Sequence, residues 1–200
     1  MKRSARWQIL GLAVLVGSCA PTTATTQKIP LPPQRLFQAG YSLLPPNEEG
    51  WEVSQRDRVL LALGKHGSNR NEIAIIWGAL FKLQPFKSDD EFVRLVRDSR
   101  EKDSDPRRFR VVKRDVTSYP GKGTTCAYSH EVLEDNPALT ESGNRVDMIR
   151  EMFGLTCAHT TNKQIGVTVN YSQRYYTGQR DPQLQHRATS VLTSVEFSAL

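Results

Sequence analysis

Three cysteines and four histidines carry the sulfur and imidazole chemistry of this chain: Cys19, Cys126, Cys157, His66, His130, His159 and His186. Cys126 with His130, and Cys157 with His159, make a set of zinc-ligand type. On strands, each of these pairs shares a face, because side chains two and four positions apart point the same way. Register arbitrates between zinc and a simpler use of the cysteines. The midpoint of 126 and 157 falls in the turn-like segment Asn136-Pro-Ala-Leu-Thr-Glu-Ser-Gly-Asn144. A hairpin folded about that segment sets Cys126 directly opposite Cys157, with Cβ atoms about 4.5–5.5 Å apart, within small adjustment of a disulfide. The same register sends His130 toward the loop and His159 away from it, a span of roughly 20 Å at about 3.3 Å per residue. Four ligands cannot meet one ion across that distance. The expectation is a Cys126–Cys157 disulfide, with a zinc site or two free thiols as the alternatives.

Other constellations carry less. No Gly-x-Ser-x-Gly elbow and no His-Glu-x-x-His pair occurs, which removes two familiar hydrolase signatures. Pro120-Gly-Lys-Gly-Thr124 has a glycine-rich look, but Lys122 is followed by Gly123 where a phosphate loop needs Ser or Thr, so a hairpin turn is expected. His130 and Glu131 are neighbours in sequence and would point to opposite faces of a strand. The polar run Lys65 to Asn71 reads as a strand connection. A basic run, Arg107, Arg108, Arg110, Lys113 and Arg114, remains. On a strand, Arg108, Arg110 and Arg114 would share a face, a candidate surface for an anionic lipid or an acidic partner protein. The competing reading is a charged edge strand protected from wrong pairing.

The elements that would position these residues can be read from periodicity. Trp51–Gln55, Arg58–Lys65 and Glu72–Leu83 are apolar strands, and Ile73, Ile75, Trp77, Ala79 and Phe81 alternate with further apolar residues. Both faces of that third strand are apolar, so a central strand covered on both sides is expected. Ser88-Asp-Asp-Glu91 is a capping-box pattern that opens a helix with Phe92, Leu95 and Val96 on one side. Four further strands are expected over Phe109–Tyr119, Thr124–Glu134, Asp147–His159 and Gln164–Tyr175. In the last, Val167, Val169, Tyr171 and Tyr175 alternate with Thr168, Asn170, Ser172 and Arg174, a half-buried pattern. A second helix starts at Asp181-Pro182 and lines Leu184, Ala188, Val191, Leu192 and Val195 along one face. The order predicts an α+β domain over 47–200, with a mainly antiparallel sheet of six or seven strands and two helices. Its element order and terminal helix running into Val191-Leu-Thr-Ser-Val-Glu-Phe197 resemble PsbP-like α/β/α sandwich domains. That resemblance implies a fold and no function.

The first residues point to a location. Lys2, Arg3 and Arg6 precede an apolar stretch from Ile9 to Val16, and no acid occurs before Glu48. The stretch is too short to span a bilayer, which takes roughly 20 residues. A charged start, a short apolar centre and small residues after it make a secretory signal. Val16-Gly17-Ser18-Cys19 resembles the lipobox of bacterial lipoproteins. The resemblance implies cleavage after residue 18, lipid on Cys19, and a membrane anchor outside the cytoplasm. In a Gram-negative cell, Ala20 in place of the retention-signalling aspartate implies the periplasmic side of the outer membrane. The alternative is an ordinary signal peptide cut near Ala20. Residues 19–46, rich in Thr and Pro, are expected to be a tether.

The formal net charge of +6 includes Lys2, Arg3 and Arg6, and falls to +3 once residues 1–18 are removed. So small an excess gives no support to nucleic-acid binding. The expectation is a non-enzymatic, membrane-tethered binding or assembly module without a cofactor or metal. The alternative is a hydrolase-like envelope enzyme whose site is assembled from distant residues. A histidine near a carboxylate in a deep polar pocket would favour the enzyme.

Overall fold

Runs of alternating or doubly apolar residues account for the long strands of this protein, and short apolar clusters between turns account for the rest. The computed structural model describes residues 27–69, 71–139, 143 and 145–200. Cys19 and the Val16–Cys19 segment that resembles a lipobox lie outside the described residues. Along the chain come β1 (Gln27–Lys28), β2 (Leu36–Gln38), β3 (Tyr41–Leu43), β4 (Glu52–Arg56), β5 (Leu60–His66) and β6 (Ile73–Lys82). Then follow α1 (Asp89–Lys102), β7 (Phe109–Ser118), β8 (Cys126–Leu139), β9 (Arg145–Ala158), β10 (Ile165–Tyr176), α2 (Leu184–Thr193) and β11 (Glu196–Phe197).

Eight strands form one antiparallel sheet in the order β1-β4-β5-β6-β10-β9-β8-β7, and β11-β3-β2 form a second, small sheet. Two meanders, β4-β5-β6 and β7-β8-β9-β10, are joined side by side through β6 and β10. The α+β class, the two helices and the antiparallel sheet agree with the sequence reading. The strand count exceeds it. Residues 27–46, which composition assigns to a tether, fold into the body. Tyr41 and Leu43 of β3 are fully buried in the main core. A composition average over the whole of 19–46 conceals them, because its threonines all precede residue 27 and dilute the apolar residues that follow.

The turn between β2 and β3 needs Gly40, whose φ of +77° disfavours a side chain. Its N–H donates to Ala199 O at 3.2 Å, and its carbonyl accepts from Ser198 N–H at 3.1 Å. The chain's last residues are thus hydrogen-bonded to its first folded hairpin.

Helix α1 begins as its capping box directs. Ser88 Oγ accepts from Glu91 N–H at 3.2 Å, while the Glu91 carboxylate takes the N–H of Lys87, one residue earlier than expected. Helix α2 starts later than the sequence suggests, at Leu184, because Asp181 caps a preceding turn by accepting from Gln183 N–H at 2.8 Å.

The helices lie on opposite faces of the large sheet. Phe92 and Val96 of α1 pack with Val116, Ala127 and Ala158. Leu184, Ala188, Val191 and Leu192 of α2 pack with Cys126, Phe153, Leu155, Cys157, Val167 and Val169, whose side chains alternate with the first set. The α2 face is also covered by Tyr41 and Leu43 of the small sheet. The α1 face has only its helix, which contacts β7 and β8. Coverage of the central strand β6 on both sides, expected from its doubly apolar sequence, is therefore half realised. Ile76 is fully buried on one face, whereas Ile73, Ile75, Trp77 and Ala79 are half-buried on the other and Phe81 is exposed. No described helix is long and apolar enough to cross a membrane.

Candidate functional site

The cysteine register is as the hairpin argument requires. Cys126 pairs with Cys157 across β8 and β9, with Cα atoms 4.0 Å apart, and the two form a disulfide. The histidines go elsewhere. His159 is fully buried, and its Nδ1 accepts from Thr161 N–H while Nε2–H lies 3.0 Å from Gly40 O and 3.1 Å from Ser198 O. It ties the Gly40 turn to the segment at Ser198. His130 stacks on Phe153 with ring centroids 4.4 Å apart, and its Nε2 meets Glu151 at 2.8 Å. Among the described residues no cluster of His, Cys, Asp and Glu is arranged to hold a metal.

His130 and Glu151 are the histidine–carboxylate pair that a catalytic reading would seek. The carboxylate, however, is already engaged. Arg180 forks onto both of its oxygens at 2.7 and 2.9 Å, and Tyr175 Oη–H donates to it at 2.8 Å. Burial pushes the Glu151 carboxyl up, but hydrogen bonds from Arg180, His130 and Tyr175 outweigh it and hold the group at about 2. A carboxylate so firmly ionised is a poor proton acceptor. Among the described residues no hydroxyl or thiol hydrogen-bonds His130.

The three arginines expected on one surface do not share it. Val112 is bulged between Val111 and Lys113, and that extra residue reverses the alternation of β7. Arg110 pairs across the sheet with Glu134, and Arg114 with Glu131, on opposite faces. Arg108 lies in the turn before β7 and forks onto Asp135 at 2.8 and 3.0 Å. Each guanidinium is thus met by a carboxylate of β8, and no continuous basic face forms along this edge.

The open part of the α1 face makes a cleft instead. A cavity of about 580 Å³ lies between α1 and the sheet, with Leu95, Val96 and Arg100 on the helix side and Trp77, Ala79 and Phe81 on β6. A second cavity of about 300 Å³ adjoins it through Trp77, Arg100 and Asp103, and is further lined by Glu131, Arg150 and Met152. The floor is polar and ordered. Thr156 and Thr168 hydroxyls are 3.1 Å apart, Asn170 Nδ2 donates to Thr168 Oγ1 at 3.1 Å, and Arg100 Nη2 donates to Asn170 Oδ1 at 2.6 Å. Gly154 makes room for this contact. A Cβ there would lie 2.5 Å from Ser129 Oγ and 2.6 Å from both Arg100 Nη2 and Asn170 Oδ1.

Charge is concentrated beneath α1. Arg100 is only 6% exposed, with Nε 3.8 Å from Glu131 Oε1, and Arg114 meets Glu131 Oε2 at 2.9 Å. Burial pulls the Arg100 guanidinium below its ordinary value, against the attraction of Glu131. Arg150 is lowered by burial in the same way, opposed by Asp135 and Glu131.

Sequence reasoning did not single out Arg100, Arg150 or Glu151; it met Glu131 only as the neighbour of His130, and Asn170 only as a residue on the polar side of its strand. One signal was present. Phe92, Val96 and Arg100 follow one another at four-residue steps, so Arg100 sits on the apolar stripe of its own helix. On β10 the alternation misleads: Asn170 and Ser172, on the polar side of the pattern, are buried beside α1's cleft. A scan against protein-family models finds no match, and no curated protein matches the chain.

Proposed function

We propose that this chain is a lipid-anchored envelope protein whose domain is a non-enzymatic binding or assembly module, with the cleft under α1 as its binding site. The observation that carries the reading is the unequal covering of the sheet. An apolar sheet face with Trp77 and Phe81 left accessible, beside a cavity of about 580 Å³, is the kind of concave, mostly preformed surface that ligands occupy. Helix–sheet–helix layers serve binding in unrelated settings, which supports a binding reading. The hydrolase-like alternative draws less support, because the His130–Glu151 pair is tied up by Arg180 and Tyr175.

The anchor rests on Val16-Gly17-Ser18-Cys19 and on the disulfide, which suits an oxidising compartment. Two or more acyl chains on Cys19 would hold the protein stably on a membrane. Metabolic labelling with an alkyne palmitate tests it: label is expected in the full chain and lost in Cys19→Ser. Label retained by that variant, or a purified protein still carrying residues 1–18, refutes the anchor. For the binding site, a photo-crosslinking residue placed at Phe81 in cells should give adducts that one at the exposed edge residue Val112 does not. Equal or absent adducts at Phe81 refute the cleft as the site.

A further inference from the structure

Burying charge without a partner is expensive, so the balance of ions in a cavity tells what it is built to receive. Under α1, Glu131 and Asp135 between them carry Arg100, Arg108, Arg114 and Arg174, at N···O distances from 2.7 to 3.8 Å. Arg150 has no carboxylate within ion-pair distance among the described residues. Its contacts are Met152 Sδ, 4.0 Å from Nη2, and the face of Phe109, 5.5 Å from Cζ to centroid. Arg100 Nη1 lies 3.9 Å from the same sulfur. Two buried or half-buried guanidiniums thus line the cavity of about 300 Å³, and one of them has no carboxylate within ion-pair distance among the described residues. Asp103, the other acid on this lining, is exposed to solvent.

A second observation concerns the opposite sign of hydrogen bonding. Glu131 is 1% exposed and lines this cavity, yet its Oε1 accepts no hydrogen bond. A buried carboxylate oxygen of this kind repels a bare anion on its own side and accepts from a hydroxyl. The head that fits therefore carries an anion toward Arg150 and a hydroxyl toward Glu131. The adjoining cavity supplies room for a chain, along Trp77, Ala79, Phe81, Leu83, Leu95 and Val96.

We infer that the cleft under α1 binds a single-chain lipid whose head group bears both an anionic phosphate and a hydroxyl, with the phosphate between Arg100 and Arg150 and the chain along β6. This rests on the reading of the domain as a binding module and specifies its ligand. The test uses the purified full chain in non-ionic micelles and three probes with the same diazirine-bearing acyl tail: lysophosphatidylglycerol, monoacylglycerol and the fatty acid. Lysophosphatidylglycerol should label peptides within 73–84 and 89–103. Monoacylglycerol should label at least about tenfold less, the loss expected for one charged hydrogen bond, with the fatty acid in between. Arg150→Met should lose labelling to the same extent and melt no lower than the parent, since no ion pair is broken. Arg150→Lys should recover part of the labelling.

Equal labelling by the charged and neutral glycerol probes overturns the anion site, and this comparison needs no variant. Fatty acid labelling as strong as lysophosphatidylglycerol overturns the hydroxyl assignment. Competition by inorganic phosphate as effective as by unlabelled lipid assigns the site to a free anion and overturns the lipid. If all lipid probes fail while Phe81 crosslinks a polypeptide in cells, the ligand is wrong and the binding module stands.

Discussion

Replacing both Cys126 and Cys157 by Ala removes a covalent constraint and a little buried volume, and the two contributions can be separated. The bridged residues are 31 apart in sequence. In the chain-entropy model, opening a loop of that length returns about 12 cal/mol/K to the unfolded chain, or about 3.7 kcal/mol at 25 °C. The native state should change little, because β8 and β9 stay paired residue by residue on either side of the cysteines. The two sulfur atoms are buried in the main core, and truncating them adds about 1 kcal/mol for lost packing. Reduction of the parent should therefore cost about 3.7 kcal/mol and the double variant about 1 kcal/mol more. At about 2–4 °C per kcal/mol for a chain of this size, the variant should melt about 9–19 °C lower. Urea unfolding followed by circular dichroism checks both numbers. The slope m should also rise, since an uncrosslinked unfolded chain exposes more surface. A loss below about 1 kcal/mol with an unchanged slope would show that the bridge constrains little.

Two further perturbations probe the buried polar groups. Gly154→Ala forces a methyl against Ser129, Arg100 and Asn170, and should destabilise the protein by about 1–3 kcal/mol in urea unfolding; an unchanged midpoint would mean the niche is looser than its distances imply. Glu151 has its carboxyl depressed from 4.5 to about 2 in the folded protein. Its stabilising effect is complete above the unfolded-state value and is lost as pH falls through the window from about 4.5 to about 2. Glu151→Gln should flatten the stability-versus-pH curve over that window, and a slope equal to the parent's there would assign the acid sensitivity to other groups.

Legibility in the sequence followed a physical divide. Cys126 and Cys157 could be paired because antiparallel register is set by one turn, and seven long strands emerged because their apolar periodicity is local. The short strands β1 to β3 and β11 did not, since two or three residues carry no period and are held only by pairing with other strands, β11 with β3 from far along the chain. The bulge at Val112 reversed a face assignment that rested on strict alternation. The buried polar side of β10 was read as solvent-facing because alternation reports contrast between two faces without saying what covers the polar one. The cleft itself is a product of tertiary coverage: it exists because α2 and the small sheet share one face while α1 stands alone on the other. Arg100 was the one member with a local mark, a cation on its helix's apolar stripe.

The contact of Gly40 with Ser198 and Ala199 has a consequence for the order of folding. The hairpin around Gly40 is completed only by Ser198 and Ala199, and β3 gains its second neighbour only from β11. During synthesis, residues 36–43 must therefore wait for residues 196–199 before their side of the core can close. Pairing of β6 with β10 is similarly delayed, since the first meander ends at Lys82 and its partner strand begins only at Ile165. Such long-range closure slows folding. For a chain threaded unfolded through a membrane, as the Cys19 proposal requires, late closure is an advantage: the hairpin at 36–43 cannot lock before residues 196–199 have been made.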